Sequence, residues 1–395
     1  MSLNLSTSSD PRAAVADAFR TALEGFDSTH PALILGHFDA DGLSAVAILK
    51  RALDRAGRAS DIRLVGKGEN PWSASIRAEV AQRRPGGLIV TDLGVREGDI
   101  APGVPTVIVD HHVPTGVPGA ATVISGNGLA PEPTSALLTY WCAQALGDAS
   151  DLLWLAGLGL IGDMAEGLGF PEMAEAQQRF GKTALRDAVS LINAPRRAAA
   201  ADAGPALKLL LNGGGPKDVT SGRYPETAAL LAAKAEVKAE LDVAKRVGPK
   251  IRGDVALIRF HSPCQIHPLV AQQWRGRLKD KIVLAANTGY RAGWVHFAAR
   301  TASGRDLIQF LAERRPGGAD ENYGSGHVQA TGGALRPDDW NAFVRGLGFP
   351  EEQIPSPGSH ESSRFVGAPS PSHSAGAERV PPSPLRGEGL KEAVS

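Results

Sequence analysis

Three short apolar runs in this chain stop abruptly at residues that can hold a metal ion. Leu33-Ile34-Leu35 runs into Gly36-His37-Phe38-Asp39-Ala40-Asp41-Gly42, Leu88-Ile89-Val90-Thr91 into Asp92, and Val107-Ile108-Val109 into Asp110-His111-His112. Continuous rather than alternating apolar runs mark strands buried on both faces, the habit of parallel sheets. Helical patterns separate them. Ala14, Val15, Ala18, Phe19, Ala22 and Leu23 recur at helical spacing within 13–26, and Ala45, Val46, Ile48, Leu49, Ala52 and Leu53 do so beyond Gly42. Residues 73–84 read as a third helix, ended by Pro85-Gly86-Gly87. With a further strand at 62–66, this alternation predicts an α/β fold with a doubly wound, mostly parallel sheet. Sites in such sheets sit at the carboxyl ends of the strands, where these polar residues fall.

Helices are expected next at 134–146, 151–162, 172–193 and 226–246, with Asn212-Gly213-Gly214-Gly215-Pro216 as a loop. A second set of strands follows at 254–260, 282–287 and 294–300, then a helix at 306–315 and the glycine-rich loop Tyr323-Gly324-Ser325-Gly326-His327. The expected organisation is a metal-binding domain over 1–195, a helical connector over 196–247, a smaller C-terminal α/β domain over 248–347, and a disordered tail over 348–395. An active-site cleft is expected between the two domains. From 351 onward Pro, Ser, Gly and charged residues dominate, a composition too poor in apolar area to offset its ordering entropy.

Composition narrows the class. Hydrophobic residues make up 43% and charged residues 21% of 395, ordinary for a soluble globular protein. No apolar stretch reaches 18 residues, so no membrane-spanning helix is expected. The first twenty residues lack the pattern of a secretory signal, and Cys142 and Cys264 show no metal-type spacing; both features suit a reducing cytoplasm. Charge is unevenly spread. Residues 1–200 carry 17 Lys and Arg against 22 Asp and Glu, whereas residues 248–345 carry 14 against 8. An acidic half fit for cations precedes a basic half fit for phosphates.

His37, Asp39, Asp41, Asp92, His111 and Asp163 offer imidazole nitrogens and carboxylate oxygens without thiolates. That donor set suits a hard to borderline ion such as Mn²⁺ better than structural zinc. Six protein ligands are too many for one ion that must keep open positions, and about right for two ions that share a carboxylate. Each residue alone has a plainer explanation: an Asp after a strand often caps a helix, and Asp163 in particular fits a cap. Their joint placement at strand ends argues for a site.

The segments GHFDADGLSA, LIVTD, VDHH and LIGDMAE resemble the four motifs of the DHH phosphoesterase superfamily, which includes RecJ-type exonucleases, nanoRNases, cyclic-dinucleotide phosphodiesterases and manganese-dependent pyrophosphatases. The second half resembles the DHH-associated domain, on the segment Arg300–Leu307 and on GSGHVQATGG at 324–333, so the resemblance covers about residues 30–340. It implies two Mn²⁺ ions, with Mg²⁺ as the substitute. His37, Asp39 and Asp92 would hold one ion, and Asp41, Asp92, His111 and Asp163 the other. It further implies that His112 contacts the scissile phosphate while Asp110 orients its histidine neighbours. Arg300, Gly324, Ser325, Gly326 and His327 would grip the substrate.

Two departures bear on the substrate. Ser325 replaces the middle glycine of the usual loop. The H-x-D-x-D-G first motif is the RecJ-like form, yet no room remains after residue 345 for the oligonucleotide-binding barrel usual in bacterial RecJ. The resemblance therefore implies a metal-dependent phosphodiesterase acting on single-stranded nucleic acid or short oligonucleotides. The alternatives are hydrolysis of a small phosphate compound, such as a cyclic dinucleotide or pyrophosphate, and a non-catalytic RecJ-related scaffold. The scaffold is disfavoured because every ligand position is filled. Trp294, near Arg291, reads either as a stacking surface or, as favoured here, as strand core; Arg300 reads either as a substrate contact or as a partner of Asp306.

Overall fold

The computed structural model of the chain describes residues 2–3, 10–319, 323–324 and 326–356. In chain order the first half runs β1 (Ser2–Leu3), α1 (Pro11–Glu24), β2 (Ala32–His37), α2 (Ala40–Arg55), β3 (Ser60–Val65), α3 (Ala74–Arg83), β4 (Gly87–Thr91), β5 (Thr106–Asp110) and β6 (Thr122–Ser125). These strands form one sheet in the order β1-β6-β5-β4-β2-β3, and every neighbouring pair is parallel. Burial on both faces explains the unbroken apolar runs. Ile34 and Ile89 pack with α1 and α2 on one face, while Leu33, Leu35, Leu88 and Val90 pack with Ile76 and Val80 of α3 on the other.

Helices α4 (Ser135–Gln144), α5 (Leu153–Gly162), α6 (Pro171–Phe180) and α7 (Lys182–Ile192) thicken the first face. The single helical stretch expected over 172–193 is two helices, because Gly181 at φ 84° turns the chain between them. Then come α8 (Ala194–Arg197), α9 (Gly204–Asn212), α10 (Pro216–Thr220) and α11 (Glu226–Ala244), with the expected glycine loop falling between α9 and α10.

The second sheet is built from β7 (Lys250–Arg252), β8 (Val255–Phe260), β9 (Ile282–Asn287), β10 (Val295–Thr301), β11 (Gly326–His327) and β12 (Ala330–Leu335). Its order is β11-β12-β10-β9-β8-β7, with β8 and β9 parallel and the other pairs antiparallel. Helix α12 (His267–Arg277) and α11 cover one face; α13 (Leu307–Ala312) and α14 (Pro337–Gly346) cover the other. Neither β6 nor α12 was expected from the sequence. In α12 only His267, Val270 and Ala271 are buried, too few to print an apolar stripe. The packed chain also runs past residue 347: Phe349 is fully buried, Ile354 packs on the same core, and Asn341 exchanges two 2.8 Å side-chain bonds with the Ile354 backbone. No helix among the described residues is long and apolar enough to cross a membrane.

Candidate metal centre and cleft

The parallel sheet delivers its polar residues to one edge. His37 ends β2, and Asp39 caps α2 by accepting a 3.1 Å bond from the Gly42 amide. Gly42 has to be glycine, since a Cβ there would lie 2.6 Å from the His37 carbonyl oxygen. Asp41, on the first turn of α2, is fully buried and accepts from the Ser135 amide at 2.8 Å and the Ala136 amide at 3.0 Å, so the N-terminus of α4 faces its charge. Gly159 of α5 leaves room for that carboxylate, because a Cβ would approach Asp41 Oδ1 to 2.3 Å.

Asp92, one residue beyond β4, sits at the middle. Its φ of 60° is a left-handed conformation that non-glycine residues seldom adopt, and such strain collects at functional sites. Its Oδ2 lies 3.4 Å from His37 Nδ1, its Oδ1 lies 3.7 Å from His111 Nε2, and Oδ1 also accepts from Ser135 Oγ at 3.1 Å. His111 Nε2 is 3.0 Å from Asp163 Oδ2 and 4.0 Å from Asp41 Oδ2. Asp163 itself is the C-cap residue of α5.

Ligand atoms fall into compact trios: His37, Asp39 and Asp92; Asp41, His111 and Asp163; and Asp92, His111 and His112. In each trio the ligand atoms lie within 4.8 Å of one another. Whether such residues fit divalent cations can be judged from His111. Among the described residues its buried Nε2 makes no well-aligned hydrogen bond, yet carboxylates of Asp163, Asp92 and Asp41 lie 3.0, 3.7 and 4.0 Å from it, a donor set that suits an ion. The residues fit the group.

Electrostatics agree. Burial raises Asp41, and the charges of Asp92 and Asp163 raise it further. Burial and the Asp39 charge push Asp92 up to about 6. Burial alone would lower His37 and His111, but Asp39 and Asp92 around the first, and Asp163, Asp41 and Asp92 around the second, hold both at about 10. So much negative charge in a buried space favours a cation, whether proton or metal.

Asp110 does not join these trios. It is fully buried and accepts from the Gly94 amide at 2.8 Å, the His112 amide at 2.7 Å and His112 Nδ1 at 2.9 Å. It therefore fixes the His112 ring, which is half exposed and borders a cleft. This cleft has a volume of about 690 Å³ and runs from His37 and His112 past Gly66–Gly68 to β10 and β12 of the second sheet.

On the far side Arg300 borders the cleft and donates to the Ala299 and Thr331 carbonyls, at 2.8 and 3.1 Å. Asp306 is not its partner; Asp306 caps α13. Gly324, Gly326 and His327 are not among the residues bordering the cleft. Gly326 and His327 are exposed in β11, where they pair with Thr331 and Ala330. Ser325 lies outside the described residues. The glycines of β12 that do line the cleft are Gly332 and Gly333. Trp294 is not strand core as favoured: it lies just before β10, partly exposed, with the Arg336 guanidinium 3.9 Å and that of Arg291 5.6 Å from its ring centroid.

Several residues at the site carry no signal in the sequence. Arg196 of α8 donates to Asp39 Oδ2 at 2.6 Å, from 157 positions away. Ser135 reaches Asp92, and Glu132 Oε1 lies 3.5 Å from His111 Nδ1. None sits in a periodic or motif-like context.

The sequence matches no family model and no curated protein. Solved structures do match. One is exonuclease RecJ bound to manganese, at TM-score 0.64 and 19% identity over 88% of this chain and 97% of that one. RecJ from Thermus thermophilus in complex with Mn²⁺ aligns at TM-score 0.65 and 19% identity over 88% of this chain and 60% of its own. The DHH domain of a member of the s1p family of ribosomal proteins aligns at TM-score 0.59 and 16% identity, over 85% and 90%. The fold of this chain is similar to that of these RecJ and DHH-domain structures. At such identities the likeness speaks to the fold, and this chain spans only 60% of the Thermus RecJ chain. The same Thermus protein is also solved with Mg²⁺.

Proposed function

We propose that this protein is a metal-dependent phosphodiesterase acting on single-stranded nucleic acid or short oligonucleotides, with two divalent ions, Mn²⁺ before Mg²⁺, as cofactor. The observation that carries this reading is Asp92. Its two oxygens face different histidines, Oδ2 toward His37 and Oδ1 toward His111, and His37 borders a cleft whose opposite wall carries Arg300. A carboxylate so placed can serve two ions at once. We assign His37, Asp39 and Asp92 to one ion and Asp41, Asp92, His111 and Asp163 to the other. Mixed imidazole and carboxylate ligation favours Mn²⁺, since Mg²⁺ prefers all-oxygen surroundings.

When bound, the ions supply electrophilic activation of water and of the scissile phosphate. The protein's residues do the rest. Asp110 holds His112 Nδ1 at 2.9 Å, and His112 borders the cleft, so its Nε2 would be the hydrogen-bond partner for the phosphate. That bond raises the His112 pKa, through the Asp110 hydrogen bond first, and so favours the protonated ring that best contacts an anion. Arg300 anchors the substrate's phosphate backbone from the second sheet. In this reading Gly324, Gly326 and His327 meet the substrate beyond the cleft, beside and along β11.

The test is a panel of substrates given to the metal-stripped chain with Mn²⁺ restored. A labelled single-stranded oligonucleotide should be shortened and inorganic pyrophosphate left intact. Pyrophosphate turnover with an untouched oligonucleotide would overturn this reading.

A further inference from the structure

The wall of the cleft opposite the metal centre contains three rings that the chemistry above does not use. His267 is the first residue of α12, His296 lies on β10 and Tyr290 precedes that strand, and all three border the cleft. Their ring centroids are 4.9 Å apart for Tyr290 and His296, 5.7 Å for His267 and Tyr290, and 5.9 Å for His267 and His296. Buried polar atoms in folded proteins are nearly always hydrogen-bonded. Here His267 Nδ1 and His296 Nε2 are both buried and have no partner among the described residues. Two such atoms on one wall are costly unless a ligand satisfies them.

Around the rings stand three cations. Lys67 Nζ lies 4.1 Å from the Tyr290 ring centroid, the Arg291 guanidinium is packed against Gly68, and Arg300 bonds only carbonyls. Among the described residues Lys67 and Arg300 donate to backbone carbonyls, none of the three has a carboxylate ion pair, and no described Asp or Glu borders the cleft. Burial first, then Arg300 and His296 around His267 and Arg291 and Lys67 around His296, lower the two imidazoles to about 3 and about 4. Near neutral pH they are uncharged, and an uncharged imidazole presents one donor and one acceptor. The wall thus offers neutral hydrogen-bonding groups and an aromatic ring, framed by positive charge.

We propose that His267, Tyr290 and His296 form a nucleoside subsite, which takes the uncharged hydrogen-bonding edge of a nucleotide's base or sugar while Lys67, Arg291 and Arg300 take its phosphate. This deepens the phosphodiesterase reading and rests on it for the orientation of the substrate. A bare phosphate or pyrophosphate would engage the cations and leave both ring nitrogens unsatisfied. A nucleotide satisfies both sets.

The experiment is calorimetric binding of three probes to the Mn²⁺-loaded full chain: adenosine monophosphate, ribose 5-phosphate and inorganic phosphate. Adenosine monophosphate should bind about tenfold tighter than inorganic phosphate, the worth of one buried hydrogen bond gained. Ribose 5-phosphate matching the nucleotide would identify the sugar as the group read; matching phosphate, the base. Both outcomes support the subsite. His296→Phe should erase the nucleotide's advantage and leave phosphate binding unchanged, and His296→Gln should keep most of it. Equal affinity for all three probes in the unmodified chain would overturn the proposal, and that comparison stands even if a variant fails to fold. So would equal weakening of nucleotide and phosphate by His296→Phe in a variant that melts normally. Nucleotide selectivity without any oligonucleotide hydrolysis would refute the phosphodiesterase reading and leave the subsite standing; hydrolysis without selectivity does the reverse.

Discussion

Arg196 donates to Asp39 Oδ2 at 2.6 Å, so a cation from α8 rests on a carboxylate of the His37–Asp39–Asp92 trio. Burial alone would raise Asp39, yet His37 and Arg196 hold it well below the ordinary carboxylate range. On the proposed ligand assignment, Arg196 would compete with an ion for that oxygen. Arg196→Ala should therefore tighten Mn²⁺ binding by about tenfold, since a unit charge a few ångströms away costs an incoming cation at least that much. Calorimetric titration of the metal-stripped variant checks this. Weaker binding would mean that Arg196 serves to position Asp39 instead.

Metal binding should also depend on pH, in a direction the histidines dictate. In the metal-free protein His37 and His111 are held at about 10, against an ordinary value of about 6.5. Both are protonated at neutral pH and must lose those protons to ligate, so binding releases protons and tightens as pH rises. Linkage gives the companion effect on stability. A group raised on folding stabilises the metal-free chain fully below about 6.5, and that contribution is lost as pH rises through about 10. The rise in melting temperature on adding Mn²⁺ should consequently grow between about pH 6.5 and 9. A rise that shrinks over this window would count against ligation by these two histidines.

The strand-end residues were legible because a buried parallel strand writes a continuous apolar run and the next polar residue marks its end. His37, Asp92 and Asp110 all announce themselves in this way. Arg196 does not, since it reaches Asp39 only through the packing of α8, and a basic residue in a helical connector reads as solvated surface. The wall of His267, Tyr290 and His296 is assembled by strand pairing and the docking of α12, so nothing local unites its members. Trp294 read as core because it adjoins a strand, but its ring lies on the surface under Arg336.

The end of the folded chain gives a stability prediction. Phe349 is fully buried in the second sheet's core, and Trp340 Nε1 donates to the Glu352 carbonyl at 2.9 Å. Phe349→Ala should cost about 3–5 kcal/mol by the cavity it leaves. A chain cut after residue 348 should melt well below one cut after residue 356. Equal melting temperatures for the two truncations would show that the segment contributes nothing.

Arg300→Ala should spare Mn²⁺ binding and weaken hydrolysis of oligonucleotides more than that of a small chromogenic phosphodiester, by about tenfold, because one charge-assisted phosphate contact is lost. The difference should narrow at high salt, where the contact is already screened. Parallel loss on both substrates together with a lower melting temperature would assign Arg300 to stability.

Asp92 bears the most weight, because it faces both His37 and His111. The most direct measurement is the rate of cleavage of a labelled single-stranded oligonucleotide as Mn²⁺ is titrated into the metal-stripped chain, side by side with Asp92→Asn. Cleavage should be absent in chelator, appear with Mn²⁺, and fall by about a thousandfold or more in the variant, as expected when a ligand shared by both ions is lost. Cleavage that persists in chelator, or an Asp92→Asn rate close to that of the unmodified chain, would contradict a metal-dependent phosphodiesterase built on this centre.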